Sequence, residues 1–284
     1  MNIMNKVTLR GLLKNKTRTI VTIIGVILSA AMITAVTTSI SSLQQFVIDY
    51  TIYEEGDWHG VLYSINPDTY RSLAENNEVS AAAYTKSDGY AILEGSRNEY
   101  KPYLHILELG KEAFDMLPIH LVSGRLPQNE NEVLISEHIY TNGGVSYKVG
   151  DVLTLDVGNR VLEDGTVLSN AGSAYKSEYN AGEKLNITHT RTFTVVGICR
   201  RLSYSIEAYF APGYSILTVS DAGKLQETDR LDVYLKVKKT NQAYKIINDL
   251  SEENRCAYWY NSDLLRFSGA DKDTAYNTVL YSLA

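Results

Sequence analysis

The sequence has little of what catalytic and metal sites are built from. Its 284 residues include two cysteines and five histidines. The histidines, His59, His105, His120, His138 and His189, are scattered, with no paired spacing and no cysteine neighbours to complete a metal site. Each is expected on the surface or in a strand. Nowhere does a glycine stand five residues before Gly-Lys followed by Ser or Thr, so there is no phosphate-cradling loop and the chain is not expected to hydrolyse ATP. Gly-x-Ser-x-Gly is missing, as is a Cys/His pair in a nucleophile's context. Asp229 and Asp232 are expected at solvated turns. No catalytic, cofactor-binding or metal-ligating residue is assigned, and neither a cofactor nor enzyme activity is expected.

The two cysteines, Cys199 and Cys256, fit either one disulfide in an oxidising compartment or two unpaired thiols in strands. Phenylalanine is scarce as well, at 5 residues against 21 tyrosines. Tyrosine suits pleated faces with one wet edge, which points to a strand-rich, half-wet surface.

Charge is absent altogether from Thr19 to Ile48. The apolar part, Ile20 to Ile40, has the ~20 residues that cross a bilayer core of about 30 Å at ~1.5 Å per residue. Lys6, Arg10, Lys14, Lys16 and Arg18 precede it without an acid, and Asp49, Glu54, Glu55 and Asp57 follow. Positive residues resist translocation. The N-terminus is therefore expected in the cytoplasm, the span in the plasma membrane and the rest outside, extracellular or periplasmic. A cleaved signal peptide has the same general form, with a shorter apolar run. Gly25 with Ser29 and Ala31 with Ala35 stand four apart, which would let another membrane helix pack closely; ordinary small-residue content gives the same pattern.

Setting aside the five N-terminal positives leaves 22 basic against 33 acidic residues, or −11 for residues 19–284. Nucleic acid is not expected as a partner of so acidic a domain.

Along the chain, 1–18 is a basic cytoplasmic segment, either a short helix on anionic headgroups or a simple positive flank. Residues 19–40 are the transmembrane helix. Leu43, Phe46, Val47 and Tyr50 keep helical spacing, so 41–56 is expected as an extracellular stalk reaching about Tyr53, with a break at Gly56. A strand over 59–65, a helix capped by Asn66 and Pro67, and a strand over 79–95, bent or folded into a hairpin at Asp88–Gly89, make one unit. The alternating LDVYLKV (231–237), the stripe Ala243, Ile246, Ile247 and Leu250, and RCAYWY (255–260) make a second. The two are expected to pair as a split α+β subdomain, 57–98 with 226–262. Between them 99–225 is an inserted mainly-β subdomain, with strands over 99–109, 132–136, 151–157 and 191–198. Its stretch 158–188 is a long hairpin or a mobile loop. Residues 263–284 read as the start of a returning helix, so the chain is expected to be truncated.

The stretches SGRLPQNENEVLIS (123–136), VGDVLTL (149–155) and FTVVGI (193–198) resemble the extracellular core domain of MacB-like, FtsX-like ABC transporter permeases. The matching positions are Gly124, Arg125 and Pro127; Asn131, Glu132 and Val133; Gly150 and Asp151; and Val195, Gly197 and Ile198. The opening LRGLLKNKTRTIVTIIGVILSAAMI is similar to that family's first membrane helix. The motif residues suit a tight turn, a strand entry and a close backbone approach, with Arg125 pairing a carboxylate such as Glu132. The resemblance implies an α+β, membrane-anchored ectodomain with a split porter-like subdomain. It also implies a permease subunit that works with a separate ABC ATPase and a second permease copy or paralogue, in contact with membrane lipid. Its implied work is to export or extract peptide, antibiotic or lipid-linked cargo. The alternative is a single-pass receptor or adhesion ectodomain.

Overall fold

The computed structural model describes residues 14–169, 175 and 182–270. Most of the expected basic segment, and the returning helix past residue 270, lie outside the described residues. The chain divides into two compact units, one ending at Asp49 and the other beginning at Tyr50.

Helix α1 runs Lys16–Glu55, and Thr51 is its one buried residue. An apolar helix exposed over most of its length suits lipid, where the backbone must satisfy its own polar groups. The hydroxyls follow the same rule: Ser29, Thr34 and Ser39 donate back to the carbonyls of Gly25, Ala30 and Ala35 at 2.9, 2.9 and 2.7 Å. The helix is long and apolar enough to cross a membrane. A side chain added at Gly25 would meet nothing within 4 Å among the described residues.

The second unit is built on one sheet of ten strands. Strand β1 (Gly60–Ile65), helix α2 (Pro67–Ala74) and β2 (Val79–Ile92) come first. The Asn66 carboxamide accepts from the Thr69 N–H at 2.8 Å and Pro67 opens the helix, so α2 begins where the cap residues stand. Strand β9 (Leu231–Val237), helix α5 (Ala243–Asn254) and β10 (Tyr258–Tyr260) mirror that order at the far end. The four strands lie as β10-β1-β9-β2, each antiparallel to its neighbour. The two βαβ crossovers thus interlock, each holding one strand of the other. Leu62, Leu235, Ile247 and Leu250 share one core with Tyr70 and Leu73, and burying such a side chain contributes about 1.5–3 kcal/mol.

The sheet continues through β3 (Tyr103–Leu109), β8 (Gly213–Val219), β5 (Glu132–Ser136), β7 (Lys184–Cys199) and β4 (Leu121–Gly124). Strand β6 (Val152–Val161) forms a long antiparallel ladder with β7. Two short helices, α3 (Ala113–Met116) and α4 (His138–Thr141), lie between strands, and α6 (Ser262–Phe267) follows β10. The result is the expected α+β class.

Several expectations change. The stretch around Asp88–Gly89 is a bulge in a continuous strand, since the pairing of β2 with β3 shifts register between Ser87 and Gly89 and then resumes. A Cβ at Gly89 would lie 2.7 Å from the Gly158 carbonyl oxygen, so the bulge is where β6 presses on β2. Strand β8, which sequence analysis does not predict, is buried at every position, and a strand covered on both faces shows no alternation. Cys199 and Cys256 are both free: one is buried with Trp58 and Leu217, the other packs against the separate core under α5. His105 is in a strand as expected, β3, and is buried there between Ser87 Oγ at 2.9 Å and Ser215 Oγ at 3.5 Å; burial holds its imidazole down at about 4, hence neutral.

Asp232 lies on β9 and not at a solvated turn. Its Oδ1 accepts from the Ser64 N–H at 3.3 Å, where β1 bulges and Ser64 takes φ 61°. Burial pushes this carboxyl up to about 6, against the lowering effect of that hydrogen bond. A raised carboxyl binds its proton more tightly in the folded chain. Its cost is therefore absent at low pH and grows as pH rises from about 4 to about 6. Asp232→Asn keeps the acceptor and removes the charge. It should stabilise the protein at pH 7 by up to about 3 kcal/mol and barely change it at pH 4. Melting curves at the two pH values check this, and an equal shift at both would refute it.

Candidate functional site

The residues that matter most for a helix feeding a sheet are those that hold its end. A helix leaves its last carbonyls without intrahelical partners, and here the ectodomain supplies them. Gly56 stops α1 with φ 96° and donates to the Ile52 carbonyl at 2.8 Å. A Cβ there would stand 2.5 Å from the Met116 carbonyl oxygen, so only glycine fits. Trp58, 2 % exposed, donates its indole N–H to the Glu55 carbonyl at 2.7 Å and meets Tyr234 edge-on at 5.3 Å. Asp57 donates its N–H to the Met116 carbonyl at 2.8 Å and pairs its carboxylate with Lys236.

The final turn is held from the side as well. His120 Nε2 donates to the Tyr53 carbonyl at 2.7 Å while its ring stacks on Tyr53, centroids 3.9 Å apart. Arg200, just past β7, donates to the Tyr53 hydroxyl at 3.1 Å. Its own N–H donates to the His120 carbonyl at 2.8 Å.

The third hold is Asn261, 4 % exposed. Its Nδ2 donates to the Gly56 carbonyl at 3.2 Å and its Oδ1 accepts from Leu264 N–H at 3.2 Å, capping α6. Its N–H donates to the His59 carbonyl at 3.1 Å. One buried carboxamide therefore ties the place where the chain enters the ectodomain to the start of α6. Chemically this is a joint: it fixes position and transfers no atoms.

The motif residues singled out in the sequence gather elsewhere, around β7. Gly124 and Gly197 face each other across the β4–β7 pair. A Cβ on Gly124 would lie 2.3 Å from the Val196 carbonyl oxygen, and one on Gly197 2.4 Å from that of Arg125. The Arg125 N–H donates to the Val196 carbonyl at 3.0 Å. Its guanidinium forks onto Glu132 at 2.6 and 2.7 Å, and Gln128 N–H adds a third bond to that carboxylate at 2.9 Å. Pro127 is buried in this turn. The Asn131 carbonyl accepts from Thr194, Gly150 donates to Val195, and the Asp151 carbonyl accepts from Val195, each at 2.8 Å. Gly150 needs its freedom for φ 100° alone, since no atom crowds it. Gly124, Arg125, Asn131, Glu132, Gly150 and Asp151 thus clasp β7 over Thr194–Gly197. Among the described residues, no group of three or more His, Cys, Asp or Glu is placed to hold a metal.

Sequence reasoning missed Tyr53, Trp58, His120, Arg200 and Asn261. Only Asn261 left a signal, as a cap residue before SDLLRF. Tyr53, His120 and Arg200 act through contacts remote in sequence, and Trp58 reaches back three residues to the Glu55 carbonyl.

Taken together, the fold and the joint define a membrane-anchored α+β ectodomain. The sequence model for the MacB-like periplasmic core domain matches residues 19–252, and the chain belongs to that family. This is the family that the turn and strand motifs suggested. Among solved structures, the periplasmic region of MacB from Actinobacillus actinomycetemcomitans is similar at 10 % identity over 74 % of this chain and 92 % of that one, with a TM-score of 0.43. The extracellular domain of the ABC-type transporter YknZ from Gram-positive bacteria is similar at 11 % identity, over 72 % and 99 % of the two chains, with a TM-score of 0.39. A domain described as a permease protein from Porphyromonas gingivalis gives 15 % identity, 73 % and 89 %, and a TM-score of 0.37. No curated protein matches the sequence.

Asn261→Ala should cost about 1–3 kcal/mol, because it strands a buried carbonyl and a helix-start N–H together. Hydrogen exchange should rise locally, at Gly56 and at Leu264, before it rises in β2 or β8. Uniform acceleration across the sheet would show that Asn261 is no joint. Glu132 makes a second case: the Arg125 guanidinium beside it holds its carboxyl down at about 2. A depressed carboxyl stabilises above its ordinary range and loses that contribution as pH falls from about 4.5 through about 2. Glu132→Gln should flatten the acid side of the stability curve in that window, and an unchanged acid limb would count against the pair.

Proposed function

We propose that this chain is a permease subunit of an ABC transporter, coupling ATP hydrolysis by a separate ATPase to movement of the ectodomain. The observation that carries this reading is α1 itself, a single helix from Lys16 to Glu55 whose last turns are clamped by His120, Arg200, Trp58 and Asn261. A continuous helix resists bending, so displacement at one end reaches the other. The five positive residues before Thr19 support a cytoplasmic N-terminus, on the side where an ATPase would act. Membership of the MacB-like family supports an ATPase partner and an ectodomain outside the cytoplasm. Two permeases per complex, embedded in lipid, with Gly25 and Ser29 and, separately, Ala31 and Ala35 as helix contacts, complete the proposal. The cargo class we infer is peptide, antibiotic or lipid-linked. Arg125, Glu132, Gly124 and Gly197 serve here as scaffold.

Val47→Pro tests the reading in a permease–ATPase complex in nanodiscs. A proline inside a helix removes a hydrogen bond and kinks the rod, at a cost of ~3 kcal/mol or more. Membrane insertion and ATP hydrolysis should persist. The ATP-driven displacement of spin labels on the ectodomain should fall at least about tenfold, and transport with it. Undiminished displacement would leave α1 as an anchor only, and ATP hydrolysis by the isolated chain would contradict a separate motor.

A further inference from the structure

One cavity lies apart from the joint and the β7 clasp. It has a volume of about 340 Å³, within the size range of small-ligand pockets. Its walls are Arg201, Tyr204, Tyr209 and Phe210 from the segment between β7 and β8, with Lys101 and His138 behind them. Tyr204, Tyr209 and Phe210 are 60, 80 and 54 % exposed. Three neighbouring rings left in water form an apolar patch of the kind that marks a binding site.

The floor explains the sign of the cavity. Glu207 is fully buried, and its Oε1 accepts from Lys101 Nζ at 2.8 Å and contacts His138 Nδ1 at 3.1 Å. Its Oε2 accepts from the Ser215 N–H at 2.7 Å. Glu207 is thus spent on the scaffold, and among the described residues lining the cavity none is acidic. Arg201 lies over the Tyr204 ring at 4.2 Å and gives one N–H to the Leu202 carbonyl at 3.3 Å. That leaves further donors of its five-donor fork, which matches a carboxylate two-pronged.

We propose that this cavity binds a carboxylate carried on an aromatic body, with Arg201 taking the anion and Tyr204, Tyr209 and Phe210 enclosing the ring. Such a group is presented by a peptide ending in an aromatic residue and by a free aromatic acid. The volume is enough for one aromatic residue with its carboxylate. Binding here is independent of whether the chain works as a permease.

The test is calorimetry on the full chain in nanodiscs with acetyl-Ala-Ala-Phe, its C-terminal amide and 3-phenylpropionate. The acid should bind about tenfold or more tightly than the amide, the worth of a charge-assisted hydrogen bond. Arg201→Gln should lose the same factor, and Phe210→Ala about three- to tenfold, as expected for one aromatic contact. Melting curves should show both variants folded, and either one alone is enough to decide. Tighter binding of the tripeptide than of 3-phenylpropionate identifies a peptide C-terminus. Equal binding identifies a free aromatic acid. Equal affinity for acid and amide, no saturable binding of either acid, or full affinity in both variants would overturn the proposal.

Discussion

The ectodomain depends on one strand being shared. Residues Val79–Lys86 of β2 pair with β9, and Thr85–Ile92 of the same strand pair with β3. The split βαβ layer and the mainly-β layer are therefore one hydrogen-bonded sheet. A hinge between them would have to break the ladder where the two registers overlap, at Thr85 and Lys86, and would expose buried Thr85 and Tyr84. Unpaired buried backbone groups are costly, so the sheet from Tyr258 to Cys199 holds its shape as one piece.

Side chains reinforce this shared strand on the wet side. Lys86 pairs with Glu108 at 2.8 Å, Arg191 bridges Glu108 at 3.1 Å and Asp88 at 2.8 Å, and His189 reaches Asp88 at 3.3 Å. Arg191 also donates to the Glu130 carbonyl at 2.8 Å. This chain of alternating charge links β2, β3, β7 and the loop before β5. Its members are mostly half-buried, where ion pairs count for more than the near-zero median of exposed ones. The charges are secondary to the backbone, however. The close approach of Gly89 to Gly158 sets where β6 crosses β2, and the charged groups then fit that register.

How much of this was legible in the sequence follows from how local each signal is. The membrane-length helix, the Asn66–Pro67 start of α2 and the alternation in β9 are written in consecutive residues, and the structure has them. The clasp on β7 was legible as motifs whose glycines foretold turns and close approaches, although their common target, Thr194–Gly197, was not. Strand β8 was invisible because burial on both faces erases alternation. Asp232 was misplaced for a related reason: an acid in LDVYLKV looks like a solvent-facing position. Only the fold reveals that Ser64, 168 positions away, brings its N–H there. The joint was the least legible feature, because Tyr53, His120, Arg200 and Asn261 meet from four separate parts of the chain.

The joint and the cavity share a segment, and this bears on how a signal could pass between them. Arg200 holds Tyr53 and Arg201 lines the cavity, on adjacent residues. Seven residues past Arg200, Glu207 pins the same segment to Lys101, His138 and Ser215. A segment fixed at Glu207 and gripped at Arg200 has little slack between the two points. Under the proposed function, a movement of Tyr53 would act on Arg200 and, through the backbone, on Arg201. Coupling of this kind is reciprocal: whatever free energy a stalk movement adds to or removes from binding at Arg201, binding returns to the stalk.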